Sequence, residues 1–226
     1  MSTALRALVV VLLAAVVVVT GMLTGCDGVG GHVVRGSGNI ATERRDVSGF
    51  TQVRVHGTGD VILEQTGTDS LSVETDDNLL PILTSSVRDG VLHLGTKDDV
   101  NVHPSRAIRY HATVRQFTGF GISGSGSVNA TGIDTDRLKG EISGSGSATL
   151  AGRADAVDLS ISGSGSYDAA NLQSRTAKVS ISGSGDATMN ATDKLDASVS
   201  GSGSVRYVGD PSVRAHISGS GTVDHK

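Results

Sequence analysis

Three pairs of carboxylates recur at comparable places late in the chain: Asp134 with Asp136, Asp155 with Asp158, and Asp193 with Asp196. Two carboxyl groups at a suitable separation can hydrolyse a glycosidic bond, one as acid and the other as base or nucleophile. If the segments that carry them stack, pairs from neighbouring segments come within reach of one another. A glycosidase, however, also needs a carboxyl buried enough to keep its proton and usually an aromatic platform for the sugar. This chain holds only three Phe, three Tyr and no Trp. Asp in short polar stretches is also ordinary turn chemistry, because its side chain bonds nearby backbone. We therefore assign no catalytic residue and expect no enzyme, keeping a polysaccharide-active enzyme as the alternative.

Metal chemistry has no better footing. His93, His103 and His111 lie near one another in sequence, but their spacing does not reproduce a zinc signature such as His-Glu-x-x-His. Gly57-Thr58-Gly59-Asp60 and Gly183-Ser184-Gly185-Asp186 are fragments of a calcium-binding repeat, and most related copies end in Ser instead. No metal and no cofactor are expected.

The one cysteine has a clearer chemistry. Arg6 precedes an apolar run from Ala7 to Val19, and Leu23-Thr24-Gly25-Cys26 closes the segment. Charge, short apolar stretch and small residues in that order make a secretory signal, too short to span a bilayer comfortably. A Cys after Leu, a small polar residue and Gly is the pattern of a bacterial lipobox. The expected processing is cleavage between Gly25 and Cys26 with acyl chains, palmitate among them, on the thiol. Two or three such chains hold a protein stably on a membrane. The expected division is 1–25 leader, 26–33 tether and 34–226 folded domain, at the cell membrane and facing away from the cytoplasm. Loss of Arg6 with the leader takes the formal charge from −4 to −5. No basic field exists to attract nucleic acid, which is not expected as a partner.

What positions the remaining candidates is a repeat. Ile or Val followed by Ser-Gly-Ser-Gly begins at Ile122 and Ile142, and the same opening recurs at Ile161, Ile181, Val199 and Ile217, at intervals of 18 to 20 residues. Before each copy apolar and polar residues alternate, as in Val157-Asp158-Leu159-Ser160-Ile161 and Ala177-Lys178-Val179-Ser180-Ile181. A period of two means a strand with one buried face. Beyond each motif lies a second inward pair: Val128 and Ala130, Ala148 and Leu150, Tyr167 and Ala169, Ala187 and Met189, Val205 and Tyr207. Ser-Gly-Ser-Gly is then a tight corner, and residues 131–137, 151–156, 170–176, 190–194 and 208–212 read as loops. Units of this size stack and share a core.

The fold expected is all-β, a single-stranded right-handed parallel β-helix with rungs of about 18–20 residues, regular over 120–226 and less so over 34–119. Val34 to Ile40 and Val55 to Val61 fit the motif loosely and would bring the copies to eight. Asp76 to Val87 reads as a short helical or turn excursion. The last copy ends without an evident cap.

Val47-Ser48-Gly49-Phe50-Thr51-Gln52-Val53, Gly57-Thr58-Gly59-Asp60-Val61, Asp77-Asn78-Leu79-Leu80 and Asp89-Gly90-Val91-Leu92, followed by the Ser-Gly repeats, give the chain a family likeness. From Gly36 onward it resembles the putative auto-transporter adhesin, head GIN domain family. That resemblance implies an exported, often lipid-anchored bacterial β-helix, and it carries no catalytic motif. Ser123 and Ser125, Ser143 and Ser145, Ser162 and Ser164, Ser182 and Ser184 should form outward hydroxyl columns. Either adjacent hydroxyls bond along each column and merely solvate the face, or the regular strip binds a repetitive ligand. The function expected is a non-enzymatic adhesion or envelope-polymer-binding module, its partners a glycan, peptidoglycan or a surface protein. An accessory or sensory envelope lipoprotein is the further alternative.

Overall fold

Alternating aliphatics make strands here because each rung offers them a matching surface on the next. The computed structural model describes residues 32–226; the leader, Gly25 and Cys26 lie outside the described residues. The strands in chain order are β1 (His32–Arg35), β2 (Ile40–Arg45), β3 (Gln52–Gly57), β4 (Asp60–Gln65), β5 (Ser70–Asp76), β6 (Leu83–Arg88), β7 (Val91–Thr96), β8 (Val100–His103), β9 (Arg109–Val114) and β10 (Gly119–Gly124). They continue with β11 (Ser127–Gly144), β12 (Ser147–Gly163), β13 (Ser166–Gly183), β14 (Asp186–Gly201), β15 (Ser204–Val208), β16 (Ser212–Gly219) and β17 (Thr222–His225). The described residues contain no helix.

From β10 onward each strand pairs in parallel with the segment one turn later, and Ile122, Ile142, Ile161, Ile181, Val199 and Ile217 form one column. This is a β-solenoid of about 5 turns. All but the last of these residues are buried, as are Leu138, Leu159, Val179 and Leu195 before the corner. Burying a side chain of this size stabilises by about 1.5–3 kcal/mol, so the column and its neighbours supply the force that stacks the rungs.

The two glycines of the motif serve different needs. The first holds a left-handed backbone, with φ +112° at Gly144 and +117° at Gly163, and a side chain at Gly163 would begin 2.6 Å from the Gly144 carbonyl oxygen. The second faces inward, and a Cβ at Gly146 would lie 2.4 Å from Cγ2 of Ile122. Successive corners therefore pack backbone on backbone.

The expected loops need correction. Residues 131–137, 151–156, 170–176 and 190–194 run on as strand, with register shifts such as those between Ala130 and Ile133 and between Asp168 and Gln173. Rungs stacked on both sides satisfy the backbone groups there, so a length difference is absorbed as a bulge rather than expelled. These segments even bury a third inward set, including Ile133, Ala154, Leu172 and Ala191. Of the expected loops only 208–212 leaves the ladder in part, at Gly209-Asp210-Pro211 between β15 and β16.

The N-terminal half departs further. Its copy at Val55 joins the stack, with Val55 on Ile122 and Gly57 on Gly124, although 67 residues separate them. On its other side Val55 meets Leu94 of β7, and β9 lies beside β4. The chain thus lays down the β3–β4 rung, then the β7 and β9 strands against one side of it, and returns to continue on the other. The copy at Val34 is not a rung: β1 pairs only with β8 in a separate two-stranded sheet, and β2 runs antiparallel to β5. Seven copies stack, not eight. Antiparallel pairs β5–β9 and β6–β7 likewise break the all-parallel expectation. The Asp76–Val87 excursion is a turn over 77–82 followed by β6, not a helix.

Candidate functional site

Outward positions just before and within the corner carry the candidate face. His56, Ser123, Ser143, Ser162, Ser182, Ser200 and Ser218 form one register column. Ser125, Ser145, Ser164 and Ser184 turn outward at the successive corners beside it. All eight serines singled out from the sequence are exposed. Their hydroxyls bond to no protein group among the described residues, so the bonding along each column anticipated for a purely solvating face does not form. The reason is spacing: rungs about 4.8 Å apart put equivalent oxygens beyond the roughly 2.8 Å of a hydroxyl hydrogen bond. Where a longer carboxylate replaces one hydroxyl the gap closes, as when Ser127 Oγ donates to Asp60 Oδ1 at 2.6 Å and Ser204 Oγ donates to Asp186.

The candidate acids are dispersed among cations. Asp155 meets Arg153 Nη2 at 3.7 Å, Asp193 accepts from Arg175 Nε at 3.2 Å, and Asp196 accepts from Lys194 Nζ at 2.7 Å. Asp134 stands in register with Arg153, while its backbone N–H and carbonyl bond the Gln65 side chain. Lys139, Asp158, Lys178, Asp196 and Arg214 alternate in sign up a single column. The side-chain bond from Lys194 holds the Asp196 carboxyl below its usual range, and bonds from Thr192 and Arg175 do the same for Asp193. The Lys139 ammonium lowers Glu141 and is itself raised by it. These carboxyls are held as anions, which is the opposite of what a general acid at neutral pH requires.

Sequence reasoning missed the site's other feature. His93 was singled out with His103 and His111, yet the structure places His103 at the end of β8 and His111 on the outer side of β9. His93 instead meets His56, with Nδ1 of His93 3.5 Å from Nε2 of His56. They come together because β7 stacks on β3, out of chain order. The available signal was that both follow an inward aliphatic, Val55 and Leu92, on outward strand positions. Burial first, then the charges of Arg88, His56 and Arg54, lower the pKa of His93. A cleft of about 770 Å³ opens here, lined by both imidazoles together with Thr84, Ser86, Arg88 and Lys97. No group of three or more His, Cys, Asp or Glu converges on a metal position among the described residues.

At the opposite edge of the N-terminal region the Asp77-Asn78-Leu79-Leu80 landmark resolves into a clamp. Asp76 is fully buried and accepts from Gly38 N, Ser105 N and Ser105 Oγ at 2.6 to 2.8 Å. Asn78 donates to the Arg35 carbonyl and accepts from Ser37 N. This ties the strand leading from β1 to the turn after β5, a structural duty rather than a chemical one.

The architecture has solved counterparts. A putative adhesin from Bacteroides fragilis superposes with a TM-score of 0.70 at 25% identity, covering 85% of this chain and 100% of its own. A putative adhesin from Parabacteroides distasonis gives 0.54 at 25% identity, over 86% of this chain and 100% of its own. A protein from the same species described as a putative lipid binding protein shares the fold at 0.58 and 23% identity, over 86% and 99%. No curated protein matches the sequence. The family model for the putative auto-transporter adhesin, head GIN domain, spans residues 49–211, leaving out the Val34 segment that is not a rung, and this chain belongs to that adhesin-like family of surface and envelope proteins.

Proposed function

We propose that this protein is a non-enzymatic, lipid-anchored envelope module that binds an extended polymer along its serine strip. The observation that carries the reading is the set of unspent hydroxyls. Ser123, Ser143, Ser162 and Ser182, with Ser125, Ser145, Ser164 and Ser184 beside them, repeat at rung spacing and leave their donors and acceptors free for a ligand. A rigid array of this kind suits a repetitive partner, a glycan or peptidoglycan strand, better than a small molecule. Anchoring through acylated Cys26 would hold the strip outside the membrane.

Two measurements test it. Retention on purified cell-wall polymer should be lost when Ser125, Ser145 and Ser164 all become Glu, with strand content unchanged by circular dichroism; undiminished retention in the folded variant removes the strip from the function. Intact mass of the membrane-extracted protein should correspond to an acylated chain beginning at Cys26, and Cys26→Ala should accumulate as precursor. A mature protein that begins elsewhere refutes the anchor.

A further inference from the structure

The cleft between β3, β6 and β7 is not accounted for by a hydroxyl strip. Its geometry first suggests a metal, since two imidazole nitrogens face each other. The ring centroids stand 5.8 Å apart and the rings are parallel within 7°, while the facing nitrogens are 3.5 Å apart. The centroids are thus farther apart than the nitrogens by about two ring radii. Both nitrogens therefore lie on the line between rings that are nearly coplanar, edge toward edge rather than face on face. That arrangement admits one proton between them or one cation.

The surrounding charge decides against the cation. Arg88 and Lys97 line the cleft, Arg54 stands directly in register with His93, and the acids nearby are Asp98 at the rim and Asp89 beyond β6. Arg54 is shared with Glu141, to which its Nη2 donates at 3.0 Å. Burial disfavours any unpaired charge beside His93, but the fixed charges acting on it are mainly positive, with Arg88 and Arg54 outweighing Asp89, so an anion is favoured over a metal ion. Hydroxyls of Thr84, Ser86 and Thr96 complete a wall of donors, with Arg88 Nη2 already directed to Ser86 Oγ.

The cleft also leads somewhere. His56 is the foot of the Ser123–Ser218 column, and a second depression lined by Arg54, His56, Ser123, Glu141 and Ser143 joins the two. Gly121 lies between Arg54 and Glu141 in that register, and the Arg54 side chain crosses it to reach Glu141, 3.1 Å from where a Cβ would sit. No Phe or Tyr ring lines either depression. Phe50, Phe117, Phe120, Tyr110 and Tyr167 are all buried, so a neutral sugar would find no stacking platform and an acidic one would not need it.

We propose that the His56–His93 cleft binds the oxyanion groups of an acidic polysaccharide whose chain continues along the Ser123–Ser218 column. The inference rests on the polymer-binding reading above and names the chemical class of the polymer. Arg88 and Lys97 supply charge, the hydroxyls supply orientation, and the imidazole pair donates through whichever nitrogens carry protons. Carboxylate and sulfate groups share this chemistry.

The test uses the full-length protein in detergent, with immobilised polygalacturonate, chondroitin sulfate and neutral dextran as probes. Both acidic polymers should bind and dextran should not, chondroitin sulfate alone binding strongly if sulfate is the preferred group. Arg88→Gln with Lys97→Gln should weaken acidic-polymer binding on the order of tenfold or more, the loss of charge-assisted hydrogen bonds. Both side chains are exposed, so the fold should survive, and the native protein provides a second readout. Its affinity for polygalacturonate should fall as salt rises toward 1 M. Salt-independent binding, or full affinity in the folded double variant, overturns the proposal. Dextran bound as tightly as polygalacturonate, and lost in the triple Ser→Glu variant, also overturns it while sparing the serine strip. Binding to none of these polymers and to no cell-wall polymer removes both readings.

Discussion

Between Ile122 and Ile217 each rung repeats the one beneath it, whereas between His32 and Phe117 only the β3–β4 rung joins that stack. The first region is stabilised by columns of small aliphatics, backbone packed on backbone at the corners, and charges that alternate up one face. The second is built from singular contacts: three of the six Phe and Tyr side chains, Phe50, Tyr110 and Phe117, the Asp76 clamp, and the Arg115 pair with Asp69 at 2.8 Å. Repetition makes the stack tolerant of exchange at any one column position and intolerant at its corners. The aperiodic region spends its individuality on ending the stack and, in doing so, forms the charged cleft at His56 and His93.

Corners give the largest effect by which that contrast can be broken. Gly163 combines φ +117° with a Cβ position 2.6 Å from the Gly144 carbonyl oxygen. Gly163→Val should cost about 3–6 kcal/mol, backbone strain and overpacking together. Urea unfolding would show it as a lower midpoint. A loss below about 1 kcal/mol would mean that the corners bend freely and that the stack is held by its columns alone.

The boundary between the regions offers the next effect. Gly140 occupies an inward position where other rungs carry Leu159, Val179 and Ala197, and the Phe120 ring fills the vacancy: a Cβ on Gly140 would sit 2.7 Å from it. Phe120 also lies parallel to Tyr167, at 6.1 Å between centroids. Phe120→Ala should cost about 3–4 kcal/mol. Gly140→Ala alone should destabilise by about 1–3 kcal/mol and should become neutral or stabilising in the Phe120→Ala background. Additive losses in that double-mutant cycle would show that the ring and the glycine are not complementary.

This pair also marks where the sequence stopped being legible. Alternation revealed the columns, the corners and the outward serines, because a strand's inward parity is local information and equal spacing fixes how copies stack. It could not explain Gly140, whose partner ring belongs to the previous rung. Nor could it tell that Val55 joins the stack and Val34 does not, since both satisfy the local motif and only the neighbouring segment decides. The bulged third face was mistaken for loops because Asp, Asn and Gly usually signal turns, and here flanking rungs override that preference. His56 and His93 were invisible as a pair for the same reason: a chain that lays rungs out of order hides its contacts from any reading along the chain.

The clamp in the aperiodic region should respond to pH. Hydrogen bonds from Ser105, then from Gly38, hold the Asp76 carboxyl below its usual range. Above the unfolded value near 4 the group is ionised in both states and its contribution is complete; as pH falls further the unfolded chain takes up the proton first, and stability drops. Thermal melts of the native protein should therefore lose stability as pH falls below about 4, and Asp76→Asn, less stable at pH 7, should lose less over the same fall. Parallel pH profiles would show that the clamp depends on shape and not on charge.

The alternating column of Lys139, Asp158, Lys178, Asp196 and Arg214 should yield the smallest change. Its members lie on the surface, and exposed ion pairs are worth about 0–1 kcal/mol. Lys178→Glu would set three acids in succession at a spacing of about 4.8 Å, where repulsion in a largely aqueous dielectric amounts to about 1 kcal/mol. The expected fall in stability is thus about 1 kcal/mol at low salt, and it should nearly vanish at 1 M salt, where the screening length of about 3 Å is shorter than the rung spacing. Lys178→Met separates charge from packing: it removes two attractions without adding a repulsion and should change stability by less than the reversal does. If the reversal costs several kcal/mol, or if salt leaves its cost untouched, the column specifies the register of the rungs rather than merely decorating them, and the repetitive region depends on singular contacts as the aperiodic one does.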